Sequence, residues 1–311
     1  MDEQSPVRVV ECRTAEEFLD SLSPRGKYFV AEHDSDSYIF RGHGDQRYRL
    51  LPTAFRVGTT IITSCGWREV ADWNNREQIN AEIATVGEFF NSADRAGLPL
   101  PEDSQALREL LFELRNLDAE IRDWPSQNLL SLIALAQHSG LPTRLLDWSR
   151  SAFVAAYFAA IEAAEWNAKP NEAPIGVTRL AVWAFKGAAY DLNRIASHNL
   201  KARVAKVKQI TLVTAPTASN PNLRAQMGVF TVHRKEQVSL DVPADREPMD
   251  CIVRNLKAQD DIHNDLIEFS LPICESPKLL RLLAREGIDA AILFPGYGGV
   301  AKALREKQYW G

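Results

Sequence analysis

Between Leu129 and Ala160 the chain sets two strongly apolar segments around a short polar run, an arrangement few folds accommodate. The first segment, Leu129 to Ala136, reads as a core helix. The second, Ala152 to Ala164, is apolar almost all round, as a helix is when every face is covered. Gly140-Leu141-Pro142 forces a turn between them. The enclosed run carries Gln137, His138, Thr143, Arg144, Asp147 and Trp148. Polar and ionisable side chains in a loop flanked by two buried helices are costly unless paired or used. The run is therefore the prime candidate for a site. The structural alternative is an Arg144–Asp147 ion pair with His138 beside a helix C-terminal dipole.

Patterning extends this reading in both directions. Pro6 to Val10 and Tyr38 to Arg41 read as short strands, the second followed by a glycine-rich turn at Gly42-His43-Gly44-Asp45. Thr14 with Glu17 predicts a capping box opening a short helix. Residues 57–73 give no firm signal, whereas Ile79, Ile83, Val86 and Phe90 predict a helix over 75–92. Leu107 to Ile121 marks another over about 104–122, ended by Trp124-Pro125.

Beyond the anchor, Leu180–Phe185, Gln209–Thr214 and Val229–His233 read as strands. A polar helix over 190–202, a turn at Thr217–Pro221 and a surface loop after His233 complete that region. Leu266–Leu271 alternates, with Glu268 and Ser270 on its polar face. A helix over Ser276–Arg285 stops at Gly287, a last strand is expected at Ala290–Phe294, and a last helix at Tyr297–Lys307. With no repeat and no linker, the simplest architecture is α+β: one mixed-sheet domain over residues 1–311, with buried helices and a helical insertion near 70–125.

Composition restricts the function classes. The net charge of -5 does not attract nucleic acid in bulk. Cys12, Cys65, Cys251 and Cys274 are widely spaced, which argues against a structural metal site and against a disulfide framework. The acidic N-terminus lacks the apolar core of a signal peptide, and no apolar run reaches membrane-spanning length, so a cytoplasmic protein is expected. Phosphate-binding P-loop, dinucleotide-fold, zinc-protease and nucleophile-elbow motifs are absent. Gly296-Tyr297-Gly298-Gly299 is read as a tight turn in preference to an anion cradle.

Three polar constellations remain: Arg41 with His43; Gln137, His138, Arg144 and Asp147; and Arg224 with Gln226. Each sits at the edge of an apolar element, so one cleft can collect all three. Three basic groups would suit a phosphate-bearing nucleotide-type ligand. Trp148 and Tyr157 are candidates to stack on its ring, although such residues more often belong to a core.

These residues carry a resemblance. Phe40-Arg41-Gly42 with His43, Tyr48 to Pro52 and Arg56 resembles the opening motif of the FRG domain, named for those three letters. Gln137 to Trp148, with the helix through Tyr157, is similar to its central signature. Arg224 to Phe230 resembles its third block, and Gly287 to Pro295 its closing block. The resemblance implies a bacterial, cytoplasmic protein of a family often encoded beside phage-defence or toxin genes.

The order of blocks is also similar to that of ADP-ribosyltransferases. That likeness implies NAD as substrate, no metal, and an effector acting as a transferase or glycohydrolase in antiviral defence or toxicity. Arg41 and His138 would be catalytic, joined by Gln226 and by Glu268 or Asp147 as the carboxylate facing an oxocarbenium-like transition state. His43, Gln137, Thr143, Arg144, Asp147, Trp148 and Arg224 would bind the ligand. Two alternatives stand beside it: a phosphodiester-cleaving toxin using His138, and a non-enzymatic sensor of a nucleotide or phage protein. A protein partner or target is left open.

Overall fold

A computed structural model of the chain describes residues 7–29, 38–116, 124–186, 210–215, 220–234, 238–257 and 266–310. In chain order its N-terminal half contains β1 (Val7–Glu11), α1 (Ala15–Leu22), β2 (Tyr38–His43), the hairpin β3 (Thr60–Thr63) and β4 (Gly66–Glu69), α2 (Asn75–Arg95) and α3 (Gln105–Asn116). Next come α4 (Leu130–His138), β5 (Leu145–Ser149), α5 (Ala152–Ala168), β6 (Arg179–Lys186), β7 (Ile210–Val213) and α6 (Pro221–Ala225). The last elements are β8 (Gly228–His233), α7 (Met249–Lys257), β9 (Leu266–Pro272), α8 (Ser276–Arg285), α9 (Ala290–Leu293) and α10 (Tyr297–Glu306).

The fold is α+β, built on a mixed seven-stranded sheet of order β1-β9-β6-β2-β5-β8-β7. β1 runs parallel to β9, and the other neighbours are antiparallel. Strand periodicity divides the side chains between two cores. Phe40, Val182, Ala184, Ile267 and Phe269 face α1, α5 and α8. Ile39, Trp183, Phe185, Leu266 and Trp148 pack instead with Leu50 and with Met249, Ile252 and Val253 of α7. A third core joins α2, α3 and α4 to Leu145, Phe230 and Val232.

One seam interrupts the sheet. β2 and β5 share a single residue pair, Phe40 with Ser149, whereas β2 and β6 stay paired from Tyr38 to His43. α5 lies against β2 at this seam. Its alanines bring the two backbones together, and a Cβ on Gly42 would stand 1.9 Å from the Ala155 carbonyl oxygen. Tyr157 of α5 donates its hydroxyl to buried Glu306, tying α10 to the same helix.

Several expectations need correction. The polar run after α4 is not a loop between helices, because Leu145–Ser149 forms β5. Gly42 and His43 belong to β2 and not to a turn. The last expected strand is helix α9, opened by the Asp289 side chain accepting from Ile292 N–H. Part of the expected surface loop is α7. Residues 57–73 hold the β3–β4 hairpin. The alternation in β9 does not mark a solvent face, because Glu268 and Ser270 are both buried. At α1, Glu17 N–H donates to Thr14 Oγ1 as expected, while the Glu17 carboxylate accepts from Arg13 N–H in place of the cap's own. Gly296, at φ +114°, makes the turn into α10. The polar helix expected over 190–202, Gln209, the 217–219 turn and the end of the 104–122 helix lie outside the described residues.

A buried ion pair fixes α2 to the sheet. Arg144, at the start of β5, forks onto Glu82 of α2, with Nε and Nη2 at 2.5 and 3.0 Å from its two oxygens. Trp124 Nε1 and Gln78 Nε2 donate to the same carboxylate. Removing one partner of such a pair leaves an uncompensated buried charge. Arg144→Ala should therefore cost about 3–5 kcal/mol in chemical denaturation, with Glu82→Gln/Arg144→Met recovering most of it. A loss under about 1 kcal/mol, the level of a surface pair, would contradict this placement. Gly42→Ala should also destabilise, by about 1–3 kcal/mol, because the new methyl meets backbone. An unchanged denaturation midpoint would show that α5 does not close on β2 as described.

Candidate functional site

Past Phe40 and Ser149 the strands part, and Arg41 occupies the gap. Its Nη1 donates to the Asp147 main-chain carbonyl at 2.6 Å, replacing the ladder bond that a paired strand would make. The same group lies 3.6 Å from the Asp147 carboxylate. Nε donates to His43 Nε2 at 2.9 Å. That acceptor role assigns the His43 proton to Nδ1, which faces the Tyr48 backbone at a geometry too poor for a full hydrogen bond. Burial, reinforced by the adjacent positive charge of Arg41, holds His43 well below the ordinary imidazole range. His43 is thus a neutral support for Arg41 and lies outside the cleft lining.

Asp147 is held from the other side by α4. Gln137 Nε2 donates to its Oδ2 at 2.7 Å, and Thr143 Oγ1 donates to Gln137 Oε1 at 2.7 Å. The Thr143 hydroxyl also accepts from Leu145 N–H, so the amide cannot flip without losing both partners. His138 ends α4, where Gly140 at φ +92° turns the chain back towards β5. Burial lowers the His138 pKa, against the opposing pull of the Asp147 carboxylate.

These elements enclose a cleft of about 290 Å³ whose lining includes Phe40, Arg41, His138, Asp147 and Gln226, with half-buried Phe158 as an aromatic wall. Gln226 closes the rim. Its side-chain amide donates to the Leu293 carbonyl of α9, and its main-chain oxygen accepts from Ser149 Oγ. Met227 follows at φ +50°, an unusual backbone for a side chain of its size, and leads directly into β8.

Thus the structure brings together residues from all three constellations: Arg41, His138 with Asp147, and Gln226. Gln137 and Thr143 stand behind Asp147 as its supports. Other candidates are placed elsewhere. Arg144 does not pair with Asp147, because Glu82 engages its fork. Arg224 is exposed and outside the lining. Glu268 is buried in β9 opposite Trp183, two strands from the seam, so it is not the carboxylate of this cleft. Trp148 borders the cleft, but its ring lies in the core and donates Nε1–H to Thr231 Oγ1. Tyr157 is buried against Glu306. Neither ring is free to stack on a ligand.

Sequence reasoning missed Ser149, Phe158 and Glu162. The available signal for Phe158 was its place beside Tyr157 among the alanines of α5. Glu162, one turn further on, accepts from Gly44 N–H at 2.7 Å, and burial raises its carboxyl above the usual range.

Residues 36–168 match the family model of the FRG domain. The match takes in the seam, Gln137 to Asp147 and all of α5, while the third and closing blocks lie beyond it. Searches of curated proteins and of solved structures found no match. This chain carries an FRG domain, spanning residues 36–168.

Proposed function

We propose that the cleft binds NAD and cleaves the bond between nicotinamide and ribose, passing ADP-ribose to water or to an acceptor. The observation that carries this reading is the Asp147 carboxylate. It is 47% exposed at the cleft, fixed by Gln137 and Arg41, and it faces neutral His138. As the C1′–N bond breaks, its electron pair leaves with the nicotinamide nitrogen and positive charge grows on the ribose. A carboxylate held in advance stabilises that charge. An incoming water forms the C1′–O bond and gives its proton to His138. Asp147 takes the role that sequence reasoning had shared with Glu268. As the family resemblance implies, the activity would serve bacterial defence or toxicity.

A phosphodiester-cleaving reading is supported by the same imidazole. Against it, Arg41 already donates to His43 and to the Asp147 carbonyl, which leaves it poorly placed to grip a phosphate.

Incubation with labelled NAD should release nicotinamide. Asp147→Asn should reduce the rate about 10²–10³-fold, and His138→Ala should reduce it by at least about 10²-fold, both in folded protein. NAD bound but unchanged would identify a sensor, and shortened RNA with intact NAD would favour phosphodiester chemistry; either overturns the proposal. The rate should also fall on acidification as His138 gains a proton. Because burial lowers its pKa, the acid limb of kcat/KM belongs below about 6.5, the unperturbed imidazole value. A limb at or above that pH would remove His138 from the base role.

A further inference from the structure

The lining of the cleft is formally neutral, and its more exposed charge is a carboxylate. Arg41 and Asp147 are the charged residues of its lining, since His138 is neutral near pH 7. The guanidinium side chain is 15% exposed and turned inward onto protein acceptors, whereas the carboxylate is 47% exposed. Arg144 is engaged by Glu82, and Arg224 lies outside the lining. Arg56 stands near Arg41 beyond the lining, held by the Leu51 carbonyl and facing Glu162. The basic excess counted in the sequence is therefore absent from the lining itself. A diphosphate calls for free, forked cationic donors, and here it would meet a carboxylate.

A delocalised cation suits the same walls. Phe158 lines the cleft and is half-buried, and a flat cationic ring gains from its aromatic face as well as from the carboxylate. The volume of about 290 Å³ lies at the lower end of ligand sites, comparable with one nucleoside.

We infer that the cleft recognises only the cationic riboside end of its substrate, nicotinamide riboside, and leaves the adenylate half in solvent. This rests on the NAD-cleaving reading. In hydrolysis of the riboside, the C1′–N pair leaves with nicotinamide, a water oxygen bonds to C1′, and one proton is released through His138.

The test compares nicotinamide release from NAD and from nicotinamide riboside, and calorimetric binding of the riboside with that of adenosine, a neutral riboside. Values of kcat/KM for the two substrates should agree within about tenfold, a difference of about 1.4 kcal/mol. The riboside should bind Asp147→Asn protein with little preference over adenosine, and wild-type protein at least about tenfold more tightly than adenosine. If NAD is cleaved but the riboside is more than about 100-fold poorer, the dinucleotide is being read, and this inference falls while the NAD reading stands. Equal binding of adenosine and riboside by wild-type protein also ends it. If neither substrate is cleaved, the NAD reading itself is overturned.

Discussion

A single guanidinium holds together the two halves of the sheet where their strands separate. Arg41 satisfies the Asp147 carbonyl that β2 no longer reaches, and in doing so it stands beside the Asp147 carboxylate. The motif Phe40-Arg41-Gly42 then has a physical reading, one residue at a time. Phe40 makes the last strand pair with Ser149 and lines the cleft. Arg41 bridges the opening. Gly42 leaves space for the Ala155 carbonyl, so α5 can close the floor. Any other side chain at the third position would push away the helix on which Phe158 is carried.

Two arginine–carboxylate pairs each have one member beside or within β5, at Arg144 and at Asp147, and they differ in what they leave available. Glu82 is buried and Arg144 nearly so, and Trp124 and Gln78 complete the hydrogen bonding of the carboxylate, which leaves none of its oxygens for a ligand. Asp147 is bonded on one side by Gln137 and Arg41 and open on the other. Burial and the number of donors, more than residue type, separate the structural pair from the candidate catalytic one.

That distinction explains how far the sequence could be read. The buried helix α5, the strand β6 and the helix α8 were legible because their apolar spacing leaves one packing solution. The residues meeting at the cleft were legible because polar groups beside apolar segments demand a partner. The partner itself was not. Glu82 lies in α2, far from Arg144 in sequence, and no local pattern announces their pairing. Short elements also escaped. Ala290–Leu293 is apolar enough for a strand, and only the Asp289 cap makes it helical. Glu268 read as a candidate catalytic carboxylate because alternation shows which face a residue takes, not whether another layer covers that face. Its cover, α7, falls in a stretch that composition alone marks as loop.

The account depends on residues from three separated blocks acting on one ligand. Its most direct measurement is a nuclear magnetic resonance titration with nicotinamide that follows the Arg41 Nε–H, the His138 ring and the Gln226 side-chain amide. The account predicts that all three signals shift together along one binding curve. Signals that stay fixed, or that follow separate curves, would contradict it.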